Sequence, residues 1–245
     1  MQPPENARHR FCLICSAGLN FGRNSTSMYQ SPPQTIFDYS LADEQLPAEP
    51  VTRQEAEAVF TYFKDSPLFR WSDANNDCED RANAICILLH AWGYPYYKAW
   101  VFSGAFRQRD WGDLTNCWNY HVAALLPVQL EQELIFYVID PATSPSLVPI
   151  DQWALQITAS GTSYHFIKKG DVYIFPPATI LRDNWYRWNK RNFNWTMQGL
   201  SGINGVSQRG RAQLAFNKQR VERTLRAFRK IRCERPLPPP AQSNQ

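Results

Sequence analysis

Cys78-Glu79-Asp80-Arg81-Ala82-Asn83-Ala84-Ile85-Cys86-Ile87-Leu88-Leu89-His90-Ala91-Trp92, closed by Gly93 and Pro95, is the stretch on which the fold turns. Ala82, Ile85, Cys86, Leu88, Leu89 and Trp92 cover a broad apolar arc at helical spacing, which predicts a largely buried helix. Gly93 and Pro95 stop it, and Asn76 and Asp77 offer caps at its start. Cys78 then falls in the first turn. There, unpaired backbone N–H groups and the positive end of the helix dipole favour a thiolate.

Upstream, Thr52 and Glu55 have the spacing of a capping box, and Ala56, Val59, Phe60 and Phe63 give the helix they open an apolar face until Ser66-Pro67 ends it. Downstream come short aromatic and β-branched runs, Tyr97 to Phe102, Tyr120 to Leu126 and Phe136 to Ile139, separated by Gly, Pro, Asp and Asn. A further hairpin is expected between Ser163 and Phe175, turning at Lys168-Lys169-Gly170-Asp171. A buried helix followed by such strands is an α+β arrangement, with the Cys78 helix packed on an antiparallel β-sheet.

The chain divides on composition. Residues 1–50 are rich in Pro, Ser, Gln and Asn and read as mostly irregular; 51–180 hold the α+β domain; 181–235 form a basic aromatic and helical extension; and 236–245 are a Pro-rich tail read as disordered. Residues 1–181 carry 12 Lys and Arg against 19 Asp and Glu, a balance of −7, whereas residues 182–245 carry 14 against 3, a balance of +11, which gives the net +4. Within the extension, Trp185, Trp188 and Trp195 alternate with Arg187, Lys190 and Arg191, Gly199 to Gly210 reads as a flexible linker, and Gln208 to Arg232 reads as a basic helix with Leu214, Val221, Leu225, Phe228 and Ile231 along one seam. Such a module suits an anionic partner, whether nucleic acid, a membrane surface or a protein, or else packs on the acidic body by its apolar seam.

Several classes are excluded or disfavoured. No run approaches the roughly 18 to 20 apolar residues of a membrane span, so none is expected. Six scattered cysteines (Cys12, Cys15, Cys78, Cys86, Cys117, Cys233) do not make a disulfide scaffold, and the Cys12-x-x-Cys15 pair has no second ligand pair to complete a zinc site. Arg8-His9-Arg10 before the apolar Phe11 to Leu19 loosely imitates a signal peptide but lacks a small-residue cleavage site at Asn20 to Arg23.

Three residues carry chemistry. Cys78 at a helix start, His121 at the head of one strand and Asp140 just past the end of the next are a thiol nucleophile, its proton-transfer partner and the carboxylate that orients the partner. The backbone N–H of Cys78 is the expected oxyanion donor. Two other histidines compete for the base role. His90 lies inside the Cys78 helix, roughly 18 Å along it at 1.5 Å per residue, and is set aside, while His165 stays open on spacing.

Around these residues the sequence resembles the protein-glutaminase family. The resemblance rests on Cys78-x-x-Arg81-Ala82, Gly93, Lys98-x-Trp100, Trp118-Asn119-Tyr120-His121-Val122-Ala123, Val138-Ile139-Asp140-Pro141 and Gln152-Trp153, and spans about residues 52–155. It implies a core similar to transglutaminases and papain-like Cys hydrolases, and a cysteine-dependent amidohydrolase that deamidates glutamine side chains of proteins or peptides through a Cys78 thioester. His121 carries over as base and acid and Asp140 as its orienting partner, with Trp118 and Asn119 lining the glutamine cleft and no cofactor or metal. The resemblance also implies a secreted or exported protein, with a cytoplasmic one as the alternative. A Cys peptidase or a transglutaminase would use the same trio, and a binding module on this fold would be expected to have lost the Cys or His. Two features depart from the family pattern: Glu79 and Asp80, acidic residues directly after the Cys, and the basic C-terminal extension.

Overall fold

Antiparallel pairing runs through a five-stranded sheet in the order β4-β3-β2-β1-β5. The computed structural model describes residues 50–72, 78–103, 106, 120–158, 163–171, 190–203 and 211–234. Its elements are α1 (Arg53–Asp65), a 3-10 turn (Pro67–Phe69), α2 (Cys78–Ala91), β1 (Tyr97–Ser103), β2 (Tyr120–Leu130), β3 (Glu133–Ile139), β4 (Val148–Pro149), α3 (Ile150–Ile157), β5 (Ser163–Lys169), α4 (Lys190–Leu200) and α5 (Arg211–Arg232). The expectations for the N-terminal 1–49, the caps Asn76 and Asp77, the second arm of the last hairpin and the 236–245 tail lie outside the described residues, as do Trp118 and Asn119.

Helix α1 forms as its first residues predict. The Thr52 side chain accepts from the Glu55 amide at 3.2 Å and the Glu55 carboxylate accepts from the Thr52 amide at 2.9 Å, a closed capping box that stabilises the helix by about 1 kcal/mol. Ala56, Val59, Phe60 and Phe63 are buried beneath it. Helix α2 ends where Gly93 takes φ +76°, with Gly93 N–H donating to His90 O at 3.1 Å and Tyr94 N–H to Leu89 O at 2.9 Å. This double bond pattern satisfies the last carbonyls and needs a left-handed residue, for which glycine has no steric penalty.

Strand alternation divides the core between the two faces of the sheet. Ala124, Leu126 and Val128 of β2 face α1 and α2, joining Phe63, Phe69, Leu88, Leu89 and Trp92. Ala123 and Leu125 face the other way with Ala99, Val101 and Val138, beneath α3 and its Trp153. β2 outruns its sequence expectation by four residues. It continues through Pro127, whose carbonyl accepts from Val51 N–H at 3.1 Å while Gln129 N–H donates to Val51 O at 3.1 Å, so a short parallel bridge supports the strand past the proline.

The stretch read as a linker from Gly199 begins inside a helix. α4 runs to Leu200, and Ser201 to Ile203 continue as buried or half-buried turn residues, because Met197 and Leu200 fill the core and Asn83 Nδ2 of α2 donates to Thr196 Oγ1 at 2.6 Å. α5 packs by part of its apolar seam: Phe228 is buried, and Val221, Leu225 and Ile231 pack against the core, whereas Leu214 and Phe216 near its start are exposed. Among the described residues no helix is long and apolar enough to cross a membrane.

Candidate functional site

The site occupies a notch at one end of the sheet. β3 leaves β2 at the pair Ala124↔Ile139, so Tyr120 to Ala123 project beyond it, and Asp140 follows directly on the last paired residue of β3. His121 and Asp140 meet across this step. Nε2 of His121 lies 2.7 Å from Oδ2 of Asp140, and both side chains are buried.

Two residues that the sequence reading gave no role complete the pair. Thr143 donates its hydroxyl to the same Oδ2 of Asp140, and its amide donates to the Asp140 carbonyl at 3.0 Å. Trp153 Nε1 then donates to Thr143 Oγ1 at 2.7 Å, while its ring sits 5.6 Å from the His121 ring. The chain His121, Asp140, Thr143, Trp153 therefore links β2, the turn after β3, and α3. A threonine three residues after an Asp-Pro is a turn signal that would have indicated Thr143; Trp153 is brought in by tertiary packing.

Burial alone would raise the Asp140 carboxyl. The His121 charge and hydrogen bond, the Thr143 hydroxyl and the Arg81 guanidinium outweigh it and hold the group below the usual carboxylate range.

Cys78 opens α2, so its N–H precedes the helical hydrogen-bond ladder. Its side chain packs against the cluster of Ala82, Trp100 and Val122, which Tyr120 and Phe102 also border, and the amide of Val122, next in sequence to His121, donates to its sulfur. The expectation of a ready thiolate is corrected here. Burial first, then the Glu79 charge, push the thiol well above its ordinary value, and Arg81 with the Val122 amide only partly oppose them. The thiol donates to Oε2 of Glu79 at 3.3 Å, and the Tyr120 hydroxyl donates to the other oxygen, Oε1. A helix-start position is thus not enough when a carboxylate follows directly in sequence.

Both competing histidines stand on elements other than the His121 strand. His90 lies far along α2 with its ring 5.2 Å from Tyr96. His165 stands on β5 opposite Val101, which on its other side pairs with His121. Behind the site, Lys98 is wholly buried; its Nζ donates to Asn83 Oδ1 at 3.3 Å, and desolvation lowers it to about 8.

An α+β sheet protein with a buried His–Asp pair beside a helix-initiating cysteine is what the fold and geometry define. Residues 56–157 match a family model described as Glutaminase, nearly the span of the motifs quoted above, and the resemblance to the protein-glutaminase family is borne out. Among solved structures, the protein-glutaminase of Chryseobacterium proteolyticum determined by NMR is 20% identical, with 62% of this chain and 86% of that one covered and a TM-score of 0.48. A crystal structure of protein-glutaminase is 20% identical over 61% of this chain and 85% of that one, with a TM-score of 0.47. One of pro-protein-glutaminase is 17% identical over 66% and 64%, with a TM-score of 0.49. No curated protein matches this chain.

Proposed function

We infer that this protein hydrolyses the side-chain amide of glutamine residues in proteins or peptides, giving glutamate and ammonia. The observation that carries the reading is the 2.7 Å His121–Asp140 pair, buried one residue from the strand amide that meets the Cys78 sulfur. The glutaminase match over residues 56–157 supports the choice of substrate.

In this reading Cys78 rests as a thiol and His121 takes its proton as attack begins, so no ion pair has to be formed beforehand. The sulfur bonds to the amide carbon, and the tetrahedral oxyanion is met by the N–H of Cys78. His121 then gives the proton to the departing nitrogen, the C–N bond breaks, and ammonia leaves a thioester on Cys78. Water attacks the thioester with His121 as base, and the C–S bond breaks to return the thiol and a glutamate carboxyl. Asp140, fixed by Thr143, keeps the imidazole oriented and stabilises its charged form. Trp118 and Asn119 adjoin His121 in sequence and are assigned to the glutamine cleft on the family pattern. The core is assigned to the transglutaminase-like class on the same grounds, and the basic C-terminal region, which has no place in that pattern, to an anionic partner on its charge balance of +11 over residues 182–245. Release of ammonia from a glutamine-containing protein, absent with Cys78→Ala, tests the reading; no release from the wild type contradicts it.

A further inference from the structure

Glu79 complements the dipole in the first turn of α2, a service that Asp80 beside it also provides, yet its place next to the sulfur works against the reaction just described. Its two oxygens are held from different elements: Oε1 accepts the Tyr120 hydroxyl of β2, and Oε2 accepts the Cys78 thiol at 3.3 Å. A negative charge beside the sulfur opposes thiolate formation, and after burial it is the largest influence raising the thiol. Such a cost points to a use elsewhere in the cycle.

The substrate's chemistry supplies one. A primary carboxamide differs from a peptide bond, an ester or a carboxylate in carrying two N–H donors on the atom next to the reacting carbon. For attack, the sulfur approaches that carbon to about 3 to 3.5 Å. The amide nitrogen lies only about 1.33 Å from the carbon. An acceptor 3.3 Å from the sulfur therefore comes within hydrogen-bond reach of the substrate –NH2 when the amide enters with its nitrogen on the Glu79 side of the sulfur. Oε2 becomes available at the right moment, because its present donor is the thiol proton that His121 removes. Tyr120 meanwhile keeps Oε1, so the carboxylate stays in place.

We propose that Glu79, anchored by Tyr120, selects the primary carboxamide by accepting a hydrogen bond from its –NH2 group, and discriminates against the carboxylate product. The proposal rests on the deamidase reading above. A peptide amide has a chain substituent in place of one N–H, and an ester has no donor. The product carboxylate offers acceptors alone, so it meets Glu79 as like charge and leaves. Glu79 undergoes no covalent change; it is a specificity residue that touches substrate.

The test compares two peptides identical except at one position, which carries either glutamine or the γ-methyl ester of glutamate. Wild type, Glu79→Leu, Glu79→Gln and Tyr120→Phe are measured on both, with melting curves to establish folding. Removing the charge alters the thiol equally for both peptides, so the readout is the amide-to-ester ratio of kcat/KM. Glu79→Leu is expected to lower that ratio about tenfold or more, and Glu79→Gln, which keeps one acceptor oxygen, to recover part of it. Tyr120→Phe is expected to lower it about threefold. The glutamate product peptide should inhibit both Glu79 variants more strongly than the wild type. If Glu79→Leu does not fold, the ratio must still fall in Glu79→Gln and Tyr120→Phe. An unchanged ratio in folded variants overturns the proposal while leaving the deamidase reading intact, because the wild type still converts glutamine. A wild type that converts neither peptide overturns both.

Discussion

Oδ2 of Asp140 receives His121 Nε2 at 2.7 Å and the Thr143 hydroxyl together, at a point almost closed to water. Because burial would otherwise raise this carboxyl, its lowered value shows that its partners outweigh desolvation. A carboxyl lower in the folded than in the unfolded chain adds stability that is fully present above its unfolded value, about 3.9, and is lost as pH falls through the folded value. Denaturant unfolding should therefore show wild-type stability dropping more steeply than that of Asp140→Asn below about pH 4. Parallel acid limbs would contradict this.

Thr143 transmits the position of α3 to Asp140. Thr143→Val keeps the shape but removes the hydroxyl, leaving Trp153 Nε1 without its 2.7 Å acceptor and Asp140 with one donor fewer. We expect a loss of about 1 to 3 kcal/mol in stability and a fall in kcat of about tenfold with KM little changed. Urea unfolding and steady-state kinetics check the two halves separately.

The raised Cys78 thiol has a direct chemical readout. Alkylation of Cys78 by iodoacetamide, followed on the Cys78 peptide by mass spectrometry so that exposed Cys233 does not interfere, should still accelerate at pH 9, where an ordinary thiol is levelling off. Glu79→Gln should move the profile to lower pH and Arg81→Gln to higher, following the directions in which these charges act. A wild-type plateau near neutrality would show a thiolate already formed.

Lys98 is buried without exposure and held at about 8. The unfolded lysine titrates near 10.4, so between these values the unfolded state binds more protons and the Lys98 contribution to stability rises with pH. The stability of the wild type relative to Lys98→Met should thus increase by about 3 kcal/mol from pH 8 to 10.4. The comparison cancels the opposing drift from Tyr62, raised to about 12, whereas Cys86, also raised to about 12, is partly held down by the Lys98 charge, so the two proteins are compared in a Cys86→Ala background. A flat difference would mean that Lys98 keeps its ordinary value.

The parts of the fold legible in the sequence are those whose local pattern and tertiary demand agree. The Thr52–Glu55 box, the buried arc of α2 and its Gly93 stop each have a local cause, and so do the strand ends that place His121 and Asp140. α3 was not legible because it is short and follows Pro149 with no side-chain cap. α4 was hidden by Asn, Thr and Gly, poor helix formers, and exists because Thr196, Met197 and Leu200 lock onto α2 and the core. In the site, the residue types and order of the trio were visible, but the Thr143–Trp153 support and the Glu79–Tyr120 contact depend on elements far apart in sequence meeting in space. The thiol's raised value was legible in part, because the opposing Glu79 charge follows Cys78 directly in sequence, but its larger cause is burial, which no helix position reveals.

The central claim, water attacking a glutamine side chain through Cys78, is tested most directly by incubating the protein with a glutamine-containing peptide in water enriched in heavy oxygen and mapping the product by tandem mass spectrometry. We predict ammonia release and glutamate at the former glutamine, carrying heavy oxygen in its side-chain carboxyl, with neither formed by Cys78→Ala. An unchanged glutamine, heavy oxygen at a newly cut main-chain carboxyl, or a glutamine joined to a lysine amine would contradict it.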